Sequence, residues 1–173
     1  KLLENESLSA FNTLVKHGMF VLDFKTKSRI KQSESTKEVS ELSDAQKVVF
    51  EDIKTGFAEG KPVLLHGVTS SGKTEIYIKL IQEVVEKGGQ VLYLVPEIAL
   101  TTQLTDRLKQ VFGDSLINYH SKLSDAERGE IYNEVGSRFK VVLGVRSAVF
   151  LPFTNLQLII VDEEHEPSYK QTD

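Results

Sequence analysis

The chain has 173 residues, 40% of them hydrophobic and 27% charged, with no cysteine and a formal net charge of −4. That is enough chain for one buried core, and the composition excludes a disordered or fibrous protein. Without cysteine there are no disulfides, thiolate zinc sites or cysteine nucleophiles within these residues, and no apolar run approaches the ~20 residues of a membrane-spanning helix. Leu8, Phe11, Leu14 and Val15 then fall at helical spacing, with Ser7 or Ser9 as an N-cap and Gly18 as a stop. Met19 to Phe24 reads as the start of a short hairpin, and the polar, charge-mixed run Lys31–Glu41 reads as a linker. This divides the chain into an N-terminal segment (1–30), a linker (31–41) and a main domain (42–173). The acidity sits in the main domain, so any nucleic-acid partner must be gripped by a local patch.

Beyond the linker, helices and strands alternate. Ser43-x-x-Gln46 is a capping-box pattern opening a helix with Val49, Ile53 and Phe57 on one face. Pro62–His66 is expected to be a short buried strand, followed by a helix over Lys73–Lys87 that Gly88-Gly89 ends. Gln90–Val95 is a strand, and a helix runs to about Phe112 with Leu104, Leu108 and Val111 inward. Ser115–Tyr119 is a strand, Ser124-x-x-Glu127 a second capping box, and Lys140–Val145 and Leu156–Val161 are continuous apolar strands. Strands without polar alternation, separated by helices, predict a parallel sheet covered on both faces: a doubly wound α/β domain.

Two motifs carry chemistry. Gly67-Val68-Thr69-Ser70-Ser71-Gly72-Lys73-Thr74 matches the phosphate-loop pattern between an apolar run and a helix. Consecutive backbone N–H groups can curl around a phosphate there, and the helix N-terminus adds partial positive charge. Lys73 would neutralise the β- and γ-phosphates of ATP, and the Thr74 hydroxyl would ligate Mg²⁺. At the end of the last apolar strand, Asp162-Glu163-Glu164-His165 brings carboxylates to the sheet's C-terminal edge, where ligands of open α/β folds bind. Asp162 would hold Mg²⁺, and Glu163 would orient or deprotonate the attacking water. The reading requires Lys73 and Asp162 to face one ligand. His66 and His120 read as core or strand-end hydrogen-bonders and His17 as solvent-facing; no histidine pair has metal-ligand spacing.

The DExH-type box at 162–165 resembles that of superfamily 2 helicases. The runs GVTSSGKTEIY (67–77), LVPEIALTTQL (94–104), HSKLSDAER (120–128), GVRSAVFLPF (144–153) and VDEEHEPSYKQ (161–171) resemble the PriA family of bacterial primosomal replication proteins. The chain departs from that family's pattern at Ser70, Thr102 and Val145; Val145 lacks a hydroxyl that would touch the DNA backbone. The resemblance implies a P-loop RecA-like first helicase lobe, preceded by the tail of a winged-helix region. It implies that Gln46 reads adenine, a role that can coexist with its capping-box role. It implies that Pro96, Glu97, Thr101 to Gln103, Arg146 and Ser147 lie against single-stranded DNA, although an ordinary strand-to-helix turn would place these residues in the same way. His165 would couple nucleotide state to a second lobe, and Tyr169 and Lys170 would contact DNA by stacking and charge.

The implied activity is ATP-dependent, 3′–5′ DNA unwinding or translocation in replication restart, by a cytoplasmic, nucleoid-associated bacterial protein without a membrane partner. Implied partners are forked or single-stranded DNA, other primosome proteins and the single-stranded DNA-binding protein. The second lobe with its arginine finger and a zinc-binding module would lie downstream, and a 3′-end-binding module upstream. The 173 residues alone are therefore expected to fold, to bind nucleotide weakly and to show negligible DNA-stimulated ATP hydrolysis. Rival readings are another superfamily 2 translocase, a small P-loop kinase, and an ATP-dependent assembly platform. Arg107, Arg128, Arg138 and Arg146 are too scattered for a kinase lid, and Glu163 argues against a pure binding platform.

Overall fold

A computed structural model describes residues 13–19, 28, 30, 39–67 and 72–169. Four helices and four strands follow one another: α1 (Asp44–Ala58), α2 (Lys73–Glu86), β1 (Gln90–Leu94), α3 (Thr102–Phe112), β2 (Leu116–Tyr119), α4 (Asp125–Glu134), β3 (Val141–Gly144) and β4 (Leu156–Val161). Short 3₁₀ turns at Glu97–Ala99 and Arg146–Phe150 follow β1 and β3. The strands form one parallel sheet in the order β2-β3-β1-β4. Helix starts follow the sequence pattern: Ser43 and Ser124 close full capping boxes, and the Thr101 hydroxyl accepts from the Leu104 N–H.

The parallel sheet is wrapped on both faces, as the sequence predicts. In β1, Val91 and Tyr93 point into a core shared with Phe50 and Ile53 of α1, Ile76 and Leu80 of α2, and Leu108 of α3. Leu92 and Leu94 point the other way, onto Ile131 of α4, Val135, Phe139 and Leu151. A β1 buried on both faces reads as the near-continuous apolar run that the sequence carries. On α1 the inward face is Phe50 and Ile53, while Phe57 is 43% exposed and not core. Residues 13–16 are helical, and Gly18 ends that turn with φ of +70°. The rest of the N-terminal helix and hairpin and most of the linker lie outside the described residues. Ser28 hydrogen-bonds Glu130 and accepts from Arg138, and Ile30 packs against the α4 side of the sheet.

One predicted element is absent. Residues 61–67 form no strand; Val63 and Leu64 are 38% and 73% exposed, and His66 is exposed rather than a core hydrogen-bonder. An apolar run becomes a strand only when a neighbour accepts its ladder of hydrogen bonds. Here the segment stands across a cleft from β4, which is the sheet edge among the described residues. The helix covering the other face does not reach that edge: Ile159 and Val161 of β4 remain 54% and 44% exposed.

Candidate nucleotide site and nucleic-acid edge

The parallel register lines up the strand ends. Val95 N–H donates to Gly144 O (3.0 Å), Val145 N–H to Tyr119 O (3.1 Å) and Asp162 N–H to Leu94 O (2.9 Å). Pro96, His120, Arg146 and Asp162 therefore emerge along one C-terminal edge, the edge at which open α/β folds bind ligands.

A cleft of about 700 Å³ opens at that edge; its lining includes Gly67, Lys73, Asp162, Glu163, Glu164 and His165. Lys73 and Asp162, about ninety residues apart in sequence, thus face the same space. Helix α2 begins at Gly72, in the left-handed conformation at φ +81°, and it alone of the four helices has no side-chain cap. No side chain among the described residues caps its first turn, and the Glu75 N–H there donates to Gly72 O at 3.2 Å; a helix N-terminus of this kind favours an anion. The Lys73 ammonium donates to Gly67 O at 2.7 Å, which holds the two ends of the loop together. Val68, Thr69, Ser70 and Ser71 lie outside the described residues. Thr74 follows in the first turn of α2 but is not among the residues lining the cleft.

Gln46 does two jobs. Its Oε1 accepts from Ser43 N–H at 2.9 Å, completing the α1 cap, and its Nε2 donates to Gly72 O at 3.1 Å. Helix α1 is thereby tied directly to the phosphate loop. The positive φ of Gly72 favours glycine, and a Cβ there would stand 2.5 Å from that Nε2, so the Gln46 amide would have to shift to admit it.

On the acidic side, Asp162 Oδ2 accepts from the Tyr93 hydroxyl at 2.9 Å, and Asp162 O from the Tyr169 hydroxyl at 3.0 Å. Tyr93 is fully buried and packs edge-on against Tyr77 of α2, with ring centroids 5.6 Å apart. Burial first, and then the Asp162 charge, pushes both phenols up: Tyr93 strongly, Tyr77 to about 12. Tyr169 is raised by the same two causes in the same order. The Tyr169 hydroxyl is thus spent on the Asp162 carbonyl while the residue is only half-buried; Lys170 lies outside the described residues. Glu163 has φ of +51°, the sole non-glycine among the described residues with positive φ. Backbone strain of this kind gathers at functional sites. His165 is exposed, with Nε2 3.5 Å from Glu163 and Nδ1 3.4 Å from Glu164.

The donor set fits a divalent cation delivered with a nucleotide. No group of three or more His, Asp or Glu among the described residues could hold an ion unaided. Mg²⁺ bound through phosphates and water needs only one or two protein carboxylates, and the Asp162 carboxylate stands at the cleft where one would be needed.

The other strand ends form a continuous rim. Pro96 is buried, while Glu97 is exposed and accepts from the Ser121 hydroxyl, joining the loops after β1 and β2. Arg128 pins the latter loop, donating to Ser121 O (2.9 Å), His120 O (3.1 Å) and Leu123 O (3.1 Å) and lying 5.4 Å from the Tyr119 ring centroid. Arg146 and Ser147 are exposed at the turn after β3, Arg146 with no ion pair among the described residues. Thr101 and Gln103 are exposed at the start of α3, and the Thr101 hydroxyl is spent on its cap. Arg107 of α3 pairs with Glu75 in the first turn of α2, so this rim is joined to the phosphate loop through two helices. Motif reading missed Tyr93, Arg128 and the Glu75–Arg107 pair. A tyrosine inside an otherwise aliphatic strand was the available signal for the first, since a buried phenol needs a partner.

The chain is 42% identical over 171 residues to the Replication restart protein PriA of Synechocystis sp., covering 96% of this chain and 20% of that protein. It is 47% identical over 133 residues to Replication restart protein PriA of Bacillus subtilis, covering 75% of this chain and 16% of that protein. Over 111 residues it is 50% identical to Replication restart protein PriA of Haemophilus influenzae, covering 64% of this chain and 15% of that protein. The chain thus spans a fifth or less of the length of these curated relatives. The DEAD/DEAH box helicase family profile matches residues 43–173, the stretch that contains the cleft, the strand-end rim and the acidic box. With that match over most of its length, the chain belongs to the DEAD/DEAH box helicase family.

Proposed function

We propose that this chain is the ATP-binding lobe of a DNA helicase or translocase that acts in replication restart. The observation that carries the reading is the convergence of Lys73 and Asp162 on one cleft beside an uncapped helix N-terminus. The name of the relatives, Replication restart protein PriA, supports the restart role, and the family match supports the helicase activity.

In this reading the triphosphate lies over residues 67–74. The N–H groups at the start of α2 and the Lys73 ammonium bind its oxygens, and Thr74 and Asp162 hold Mg²⁺. The ion, when bound, neutralises charge developing between the β- and γ-phosphates. Glu163, which lines the cleft from a backbone position of positive φ, orients the attacking water and accepts its proton. Gln46 stands at the loop where an adenine amide contact can be added to its two existing bonds. Glu97, Thr101, Arg146 and Ser147 form the rim along which single-stranded DNA runs, with Pro96 buried beneath it, and Arg146, without an ion pair among the described residues, supplies a cation for a phosphate. His165, beside both glutamates, passes nucleotide state to whatever packs over the edge.

The finer features rest on the family resemblance: 3′–5′ polarity, a zinc module outside these residues, a winged-helix tail over 1–30, contacts with primosome proteins and single-stranded DNA-binding protein, and a cytoplasmic, nucleoid-associated place. No helix among the described residues is long and apolar enough to cross a membrane. The test is ATP hydrolysis by the intact protein with and without forked DNA, and with Lys73→Ala and Glu163→Gln. DNA-stimulated turnover that both variants abolish is expected. Turnover that survives Lys73→Ala would refute the assignment. The 173 residues by themselves should bind nucleotide but not turn it over at a DNA-dependent rate.

A further inference from the structure

The contacts of Asp162 point to a residue no motif names. Its Oδ2 is held by a phenol at 2.9 Å, and that phenol belongs to Tyr93, at 0% exposure in the central strand β1. Its Oδ1 accepts from the Glu163 N–H at 3.2 Å. Its own N–H is spent on Leu94 O, and its carbonyl accepts from Tyr169. The backbone of Asp162 is thus fixed by the ladder, while one side-chain bond reaches the adjacent strand's interior. The ring of Tyr93 is in turn fixed edge-on against Tyr77, which stands four residues after Lys73 on α2.

We propose that Tyr93 is a positioning residue for the cation site: its buried hydroxyl holds the Asp162 carboxylate in one orientation toward the cleft, and the Tyr77–Tyr93 contact references that carboxylate to the helix bearing Lys73. Two observations support it independently. First, the phenol has no other polar partner among the described residues, and a buried hydroxyl in an apolar core is costly unless bonded. Second, the Tyr93 ring is held by its edge-on contact with Tyr77, ring centroids 5.6 Å apart, so the hydroxyl that donates to Asp162 is fixed in place by packing. A carboxylate with a fixed second partner loses torsional freedom before the metal arrives, so less ordering remains for binding to supply.

The inference rests on the assignment of Asp162 as a cation ligand, and the test separates the two. The intact protein is titrated with Mn²⁺ in the presence of ADP, bound metal being read from the loss of the free-ion electron paramagnetic resonance signal. Nucleotide affinity is measured separately in EDTA. Tyr93→Phe keeps the ring and its packing on Tyr77. It is expected to raise the Mn²⁺ dissociation constant about ten-fold, the typical effect of losing a partner of a metal ligand. Nucleotide affinity in EDTA and the cooperativity of thermal unfolding should stay as in the parent, an outcome that a merely structural role would not give. Tyr93→Leu, which also lacks the hydroxyl, should show the same weakened Mn²⁺ binding; it serves if the phenylalanine variant does not fold. If Asp162→Ala weakens Mn²⁺ binding and the hydroxyl-less variants do not, the positioning role is overturned and the cation site stands. If Asp162→Ala leaves Mn²⁺ binding unchanged, both fall.

Discussion

Gln46→Ala tests whether the phosphate loop is built by the loop alone or held from outside. The substitution removes two hydrogen bonds, from Ser43 N–H at 2.9 Å and to Gly72 O at 3.1 Å. At about 1 kcal/mol net for each bond, the loss of stability is about 2 kcal/mol. For a chain of this size that corresponds to a fall in Tm of about 4–8 °C. Ser43→Ala is the control, because it removes the hydroxyl that accepts from Gln46 N–H at 3.3 Å but leaves the bond to Gly72. It should cost about 1 kcal/mol, the usual value of an N-cap. The two variants part on nucleotide binding. Without the Gly72 bond, binding must order a loop that was previously tied to α1, and about 1 kcal/mol converts to roughly a five-fold weaker Kd. Fluorescent adenine and guanine nucleotides, titrated against each variant, give the result. A strut to the loop predicts the same loss for both bases in Gln46→Ala and none in Ser43→Ala. A loss confined to adenine would show that the amide acts on the base and would refute the strut. Equal affinities in the two variants would refute a binding role for Gln46 altogether.

Three further outcomes are expected. Gly72→Ala forces an L side chain to φ +81° and sets its Cβ 2.5 Å from Gln46 Nε2; nucleotide affinity should fall more than about ten-fold, as checked by the same titration, with a stability loss of about 1–3 kcal/mol. Arg128→Ala releases three backbone carbonyls and a ring contact, so urea unfolding should show a loss of about 2–3 kcal/mol, and Arg128→Lys should recover little because an ammonium lacks the planar fork. Alkaline pH should loosen the site: Tyr77 is raised from 10.0 to about 12, so the folded chain holds a proton that the unfolded chain releases. The stability this contributes is complete below pH 10.0 and is lost as pH rises through about 12, which urea midpoints and tyrosinate absorbance followed together will show. Tyrosinate absorbance reaching its full amplitude below that range with the fold intact would contradict it.

Local order was written in the sequence wherever local forces decide. Ser43 and Gln46, Ser124 and Glu127, and the glycines at 18 and 88 specify helix ends because caps act over three or four residues. The unbroken apolar runs of β1 and β3 specify parallel strands buried on both faces, because removing apolar surface from water is the strongest force driving the chain to fold, whereas the equally apolar β4 keeps one face exposed at the sheet edge. The motifs at 67–74 and 162–165 stand out in the sequence for the same reason: the chemistry they are read for depends on local spacing. Residues 62–66 show the limit, since the same apolar character did not give a strand. Pairing needs a partner edge, and a run of side chains says nothing about which edge is offered. Only the tertiary structure decided that Lys73 and Asp162 open on one cleft, that Gln46 reaches Gly72, and that Tyr93 holds Asp162 from an adjacent strand. Those contacts join residues 26 and 69 positions apart in two cases. They exist because strand register and helix packing fix distances that no local pattern encodes.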